Sequence, residues 1–207
     1  MGAIFRREVR SYFTSPIGYI FLAAFYAYSG VMFANYSLES GYTRLDSVFS
    51  ALLIIIIVLI PVLTMRTISE EKRTDQCLLT APVGLGSIVV GKFLAAFLIY
   101  IIAIAITGVF AVVVSAFGTP DWNVVVGNIV ALALVGGAYI AIGIFCSSFT
   151  ENQIVAAVIS FIALIFVSFL STIGNLLPFE WLTTVCEKVS FGERYYSFTY
   201  GLFDFSN

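Results

Sequence analysis

Five long apolar stretches, none interrupted by a charged residue, limit what this chain can fold into more than any other feature. They run near Ile17–Ala34, Val48–Met65, Phe93–Phe117, Val124–Phe149 and Ile154–Leu176. A membrane-crossing helix needs about 20 mostly apolar residues, within a range of roughly 17–25. Strands of a membrane barrel would alternate polar and apolar residues instead, and runs such as Leu52 to Ile60 have no polar phase. The chain is 60% hydrophobic and only 11% charged, whereas soluble domains carry about 25% charged residues. No soluble core of this length hides so much apolar surface. The expected fold is therefore all-α, a polytopic transmembrane helix bundle with five spans. The third and fourth spans exceed the minimum, which tilt or protruding ends would accommodate. Pro61, and the Gly136–Gly137 pair, are positions where a helix could bend.

Charge sets the expected orientation. Arg6, Arg7 and Arg10 precede the first span, while Arg66, Lys72 and Arg73 lie between the second and third, with Lys92 at the mouth of the third. The other side holds Arg44, Lys188 and Arg194. Basic residues concentrate on the cytoplasmic side, so the N-terminus is expected in the cytoplasm and Pro178–Asn207 outside it. The first apolar run exceeds the core of a secretory signal and reads as a retained helix. A net charge of -2 gives no reason to expect nucleic acid as a partner. Cys77, Cys146 and Cys186 show no disulfide or zinc spacing, and the chain has no histidine.

Three segments outside the spans could carry mechanism. At the N-terminus Ile4, Phe5, Val9, Tyr12 and Phe13 recur at near-helical spacing, with Arg6, Arg7, Glu8 and Arg10 between them. This is an amphipathic interfacial helix, serving either as an anchor or as a contact for a cytoplasmic partner. Ser15-Pro16 is a natural start for the helix that follows. The connection Arg66–Ser87 is densely charged in its first half and apolar, with Pro82, in its second. On the residues alone it is either a solvated loop or a short charged helix docking into another protein. Pro178–Asn207 is amphipathic, with Trp181, Tyr195 and Tyr196 suited to the headgroup region. It reads equally as a lid or as a return segment toward a further span.

The string Met65-Arg66-Thr67-Ile68-Ser69-Glu70-Glu71-Lys72-Arg73-Thr74-Asp75-Gln76, with Leu78-Leu79-Thr80-Ala81-Pro82-Val83 and Gly91-Lys92-Phe93 after it, resembles the signature region of ABC-2 type permeases. Arg6-Arg7-Glu8 with Ser15-Pro16-Ile17-Gly18-Tyr19, and Phe191-Gly192-Glu193-Arg194 with Gly201-Leu202-Phe203-Asp204, resemble the same family. The likeness leans toward permeases of the gliding-motility and nitrous-oxide-reductase-maturation type. It implies one ABC-2 type transmembrane domain over residues 1–207, with an elbow helix at 1–15, a cytoplasmic coupling loop at 66–87 and an extracytoplasmic amphipathic segment at 178–207. It implies a non-catalytic permease in the cytoplasmic membrane that is coupled to separate cytoplasmic ABC ATPase subunits and pairs with a second permease subunit, identical or homologous. Glu70, Glu71, Lys72, Arg73 and Asp75 are the coupling positions it implies, and Arg6, Arg7 and Glu8 the elbow contacts. ATP and magnesium would be bound by the ATPase, and no cofactor by this chain. Export is the implied direction. The rival role is a scaffold that relays ATPase motion to an extracytoplasmic partner. The family has six spans, so a segment beyond Asn207 is expected.

Other features carry less. Gly86-Ser87-Ile88-Val89-Val90-Gly91-Lys92-Phe93 nearly fits a phosphate-binding loop, but Phe93 stands where the magnesium-binding hydroxyl belongs. Lys92 is expected to snorkel to the headgroups. No ionisable residue lies within the five spans to mark an ion path. Ala133, Gly137 and Ala141 recur every four residues, as a helix-packing seam within the bundle or between subunits.

Overall fold

The computed structural model describes residues 2–38, 45–69, 85–118 and 121–170, and every regular element among them is helical. Helix α1 covers Gly2–Thr14, and α2 covers Pro16–Phe33 and runs into a π-helical turn at Ala34–Leu38. Helix α3 is Asp46–Thr64, α4 Leu85–Ser115, α5 Trp122–Ser147 and α6 Gln153–Ser168. Four segments are long and apolar enough to cross a membrane: Pro16–Ser37, Asp46–Thr64, Gly86–Ser115 and Trp122–Ser147. The chain is thus a polytopic helical bundle. The fifth expected span is described as far as Leu170, and its apolar helix α6 has 16 residues.

Local chemistry explains the boundaries. Ser15 is extended, its hydroxyl accepts a hydrogen bond from the Ile17 amide, and Pro16 opens α2. A proline here costs nothing, because the first amides of a helix have no internal acceptor. Asn152 caps α6 in the same way, its Oδ1 accepting from the Ile154 amide at 2.9 Å. Pro61 lies inside α3, which nonetheless continues to Thr64.

Helix α3 packs against α2, α5 and α6. Leu52, Ile56, Ile60 and Leu63 are all but inaccessible along one stripe of it. Helix α4 packs on α5, α1 and α2. Polar groups within the bundle find partners locally, as lipid surroundings demand. Thr64 and Thr107 donate to carbonyls of their own helices, while Tyr26 reaches across to the Ile102 carbonyl at 2.9 Å.

The glycine pair in α5 does not break the helix, which runs unbroken from Trp122 to Ser147. It seats neighbouring side chains instead. The Tyr100 ring occupies the space a β-carbon on Gly136 would need, and Phe97 lies over Gly137. Tyr100 then donates its hydroxyl to the Leu132 carbonyl at 2.7 Å. Further along, Thr64 of α3 takes the same kind of seat at Gly143.

Candidate coupling junction

Where the chain leaves α3, a small polar junction ties the root of the 66–87 connection to its surroundings. The first tie is Lys92, in the second turn of α4 and only 2% exposed. Its ammonium donates to the Thr67 carbonyl at 2.6 Å and lies 3.5 Å from Glu8 Oε1. Glu8 also receives Arg7 Nη2 at 2.7 Å. A charge withdrawn from water is tolerated only when paired and hydrogen-bonded, and this one is both. The expected snorkelling of Lys92 toward headgroups is therefore wrong. The reason is the packing of α1 on α4: Ile4 sits 3.0 Å from where a β-carbon on Gly91 would be, so the elbow helix covers Lys92 and brings it a carboxylate.

Tyr12 makes the second tie, donating its hydroxyl to the Leu63 carbonyl at 3.2 Å. Burial pushes its pKa up to about 12; the Glu8 carboxylate adds to the rise, and the Thr67 hydroxyl and Arg66 oppose it. Arg66 makes the third tie, from Nη1 to Ser15 Oγ at 2.6 Å. One hydroxyl thus caps α2 and receives the first charged residue of the connection. The fourth comes from the end of α5. Ser147 Oγ accepts from the Ile68 and Ser69 amides at 3.3 and 3.2 Å and donates to the Met65 carbonyl at 3.3 Å, which the Ser69 hydroxyl also reaches.

Among the expected contact residues, Arg6 and Arg7 are exposed on α1, whereas Glu8 turns inward to Lys92. Glu70, Glu71, Lys72, Arg73 and Asp75 lie outside the described residues, as does Pro178–Asn207. Of the small-residue seam, Gly137 is buried, Ala133 half-buried and Ala141 exposed. The phosphate-loop look-alike, Gly86–Phe93, is helical throughout, because Leu85–Ser115 is one continuous helix. Sequence reasoning did not join Tyr12, Ser15, Lys92 and Ser147. The available signal was a lysine within an otherwise apolar helix directly after a charged loop. Among the described residues, no group of three or more histidine, cysteine, aspartate or glutamate side chains gathers to hold a metal ion.

The family model for the ABC-2 family transporter protein matches residues 3–187. No curated protein and no solved structure matches the chain. With nine-tenths of its length under that one model and four membrane-crossing helices, the chain belongs to the ABC-2 transporter family and is a multi-pass membrane subunit of an ABC transporter.

Proposed function

We propose that this chain is the permease subunit of an exporter and works as a dimer of membrane subunits, each docked to a cytoplasmic ATPase. Family membership implies the partnership with ABC ATPase subunits. In our reading the N-terminus is cytoplasmic in the inner membrane, and the subtype is the gliding-motility or nitrous-oxide-reductase-maturation type. The ATPase binds and hydrolyses ATP with magnesium, while this chain performs no catalysis. Glu70, Glu71, Lys72, Arg73 and Asp75 dock to the ATPase, and the exposed Arg6 and Arg7 of α1 add elbow contacts. Glu8 contributes from beneath by holding Lys92.

One observation carries this reading. The root of the connection, Met65–Ser69, is hydrogen-bonded to Ser147 and Lys92, and Arg66 to Ser15. A load applied beyond Ser69 therefore reaches several helices at once. A freely solvated loop would need no such footing. Closure of the ATPase pair pushes the loop, and the bundle exchanges one set of contacts for another. The ATPase drives the change only through contacts that differ between the two states.

Charge reversal at Glu70→Lys with Glu71→Lys tests the assignment in liposomes carrying permease and ATPase. The expected result is loss of transport together with loss of permease-stimulated ATP turnover. Full stimulation and transport in the double variant would remove the coupling role from these residues.

A further inference from the structure

An open groove of about 470 Å³ runs between α1 and α4, lined by Gly2, Phe5, Gly91, Leu94, Phe97, Leu98 and Ile101. Its walls are apolar throughout. From Gly91 to Ile101, at 1.5 Å per residue, it follows α4 for about 15 Å. That is roughly half of the ~30 Å hydrocarbon thickness of a bilayer, the reach of a single leaflet. The groove is thus long enough for one fatty-acyl chain lying along α4.

The same elbow helix supplies charge beside the groove. Successive residues turn by about 100° around a helix, so Arg6 lies some 40° from Gly2, and Arg10 sits one turn farther along. Both arginines are exposed. The opposite flank of α1 is engaged with protein, Ile4 on Gly91 and Glu8 on Lys92. The apolar wall and the arginine pair are therefore neighbours on the free side of α1, the arrangement an interfacial helix uses toward anionic lipid.

We propose that the α1–α4 groove, with Arg6 and Arg10 at its edge, is a binding site for one anionic phospholipid, its acyl chain in the groove and its phosphate on the two guanidinium groups. The occupant is a resident lipid of the bilayer. The assignment needs no motor protein; it shares Arg6 with the elbow contacts proposed above, while Arg10 and the groove belong to the lipid alone. A neutral lipid would fill the same apolar wall but gain nothing from the arginines. A helix of a second copy would fill it without any lipid.

Native mass spectrometry of the purified chain in detergent separates these occupants. The probes are phosphatidylglycerol and phosphatidylcholine with identical chains. The expected result is retention of phosphatidylglycerol at roughly tenfold lower lipid concentration than phosphatidylcholine. Gly2→Phe is the blocking variant, because a β-carbon at Gly2 meets nothing within 4 Å, which leaves the ring free to enter the groove. It should abolish retention of both lipids. The Arg6→Gln/Arg10→Gln pair should leave both lipids binding equally and weakly. Thermal unfolding checks that each variant is folded, with Leu94→Trp replacing Gly2→Phe if that variant is not. Equal retention of the two lipids by the unaltered chain would overturn the proposal. So would undiminished phosphatidylglycerol binding by the blocking variant, or a change in subunit number on blocking, which would give the groove to a second copy.

Discussion

Lys92 shows what a single buried charge asks of its neighbours. Its ammonium is held by a carbonyl and a carboxylate from two different segments, so removing Glu8 takes the carboxylate from a buried ammonium, whereas removing Lys92 leaves Glu8 with Arg7. Breaking such a pair costs about 3–5 kcal/mol when fully buried, and somewhat less here because the Glu8 side chain keeps 14% exposure. We expect Lys92→Met and Glu8→Gln each to lower the unfolding midpoint in detergent. The double variant should recover part of the loss, and a double-mutant cycle measures the coupling. Tyr12 gives a second residue-scale expectation. A hydroxyl whose pKa is raised on folding favours the folded state fully below its ordinary value of 10, and that contribution fades as pH climbs toward about 12. Thermal midpoints followed from pH 9 to 12 should fall for the native chain more steeply than for Tyr12→Phe. Equal slopes would show that the tyrosine does not hold the elbow. Sequence pattern alone found the elbow's apolar and basic faces. It could not show that Glu8 looks inward, because that depends on which helix lies beneath.

At the scale of elements, α5 is shaped by what leans on it. Gly136→Ala would drive a β-carbon into the Tyr100 ring, and overpacking of this kind costs about 1–3 kcal/mol. Tyr100→Leu in the same chain should relieve part of that cost. Gly30→Ala is the control, since nothing lies within 4 Å of its β-carbon; it should be neutral or slightly stabilising, as alanine suits helices better. Thermal unfolding of the set in detergent checks both. The existence of the helices was legible from hydropathy, and so were the starts at Ser15-Pro16 and the length of α5. The role of the glycines was not, because a flexible hinge and a seat for a neighbour look alike in one sequence. The beginning of α4 was missed by eight residues for a related reason. Its first turns, Leu85 to Lys92, carry two glycines and a lysine, and they persist as helix where α1 packs against them.

Across the whole molecule, α3 packs against α2, α5 and α6, and α4 against α5, α1 and α2. Both ends of the proposed docking segment belong to this framework, one leaving α3 and the other entering α4. The orientation, the dimer and the docking surface were inferred from charge asymmetry and family likeness, because a hydropathy profile is blind to partners. The junction needed the folded chain, since Ser147 meets Met65 across 82 positions and Lys92 meets Glu8 from a still more distant one. Lys92 has a topological effect beyond its own stability. By gripping the Thr67 carbonyl, it buckles the chain just beyond α3 to the second turn of α4. A pull on one side of a buckle is felt on the other, so under the proposed coupling a load reaching Thr67 would be shared between α3 and α4.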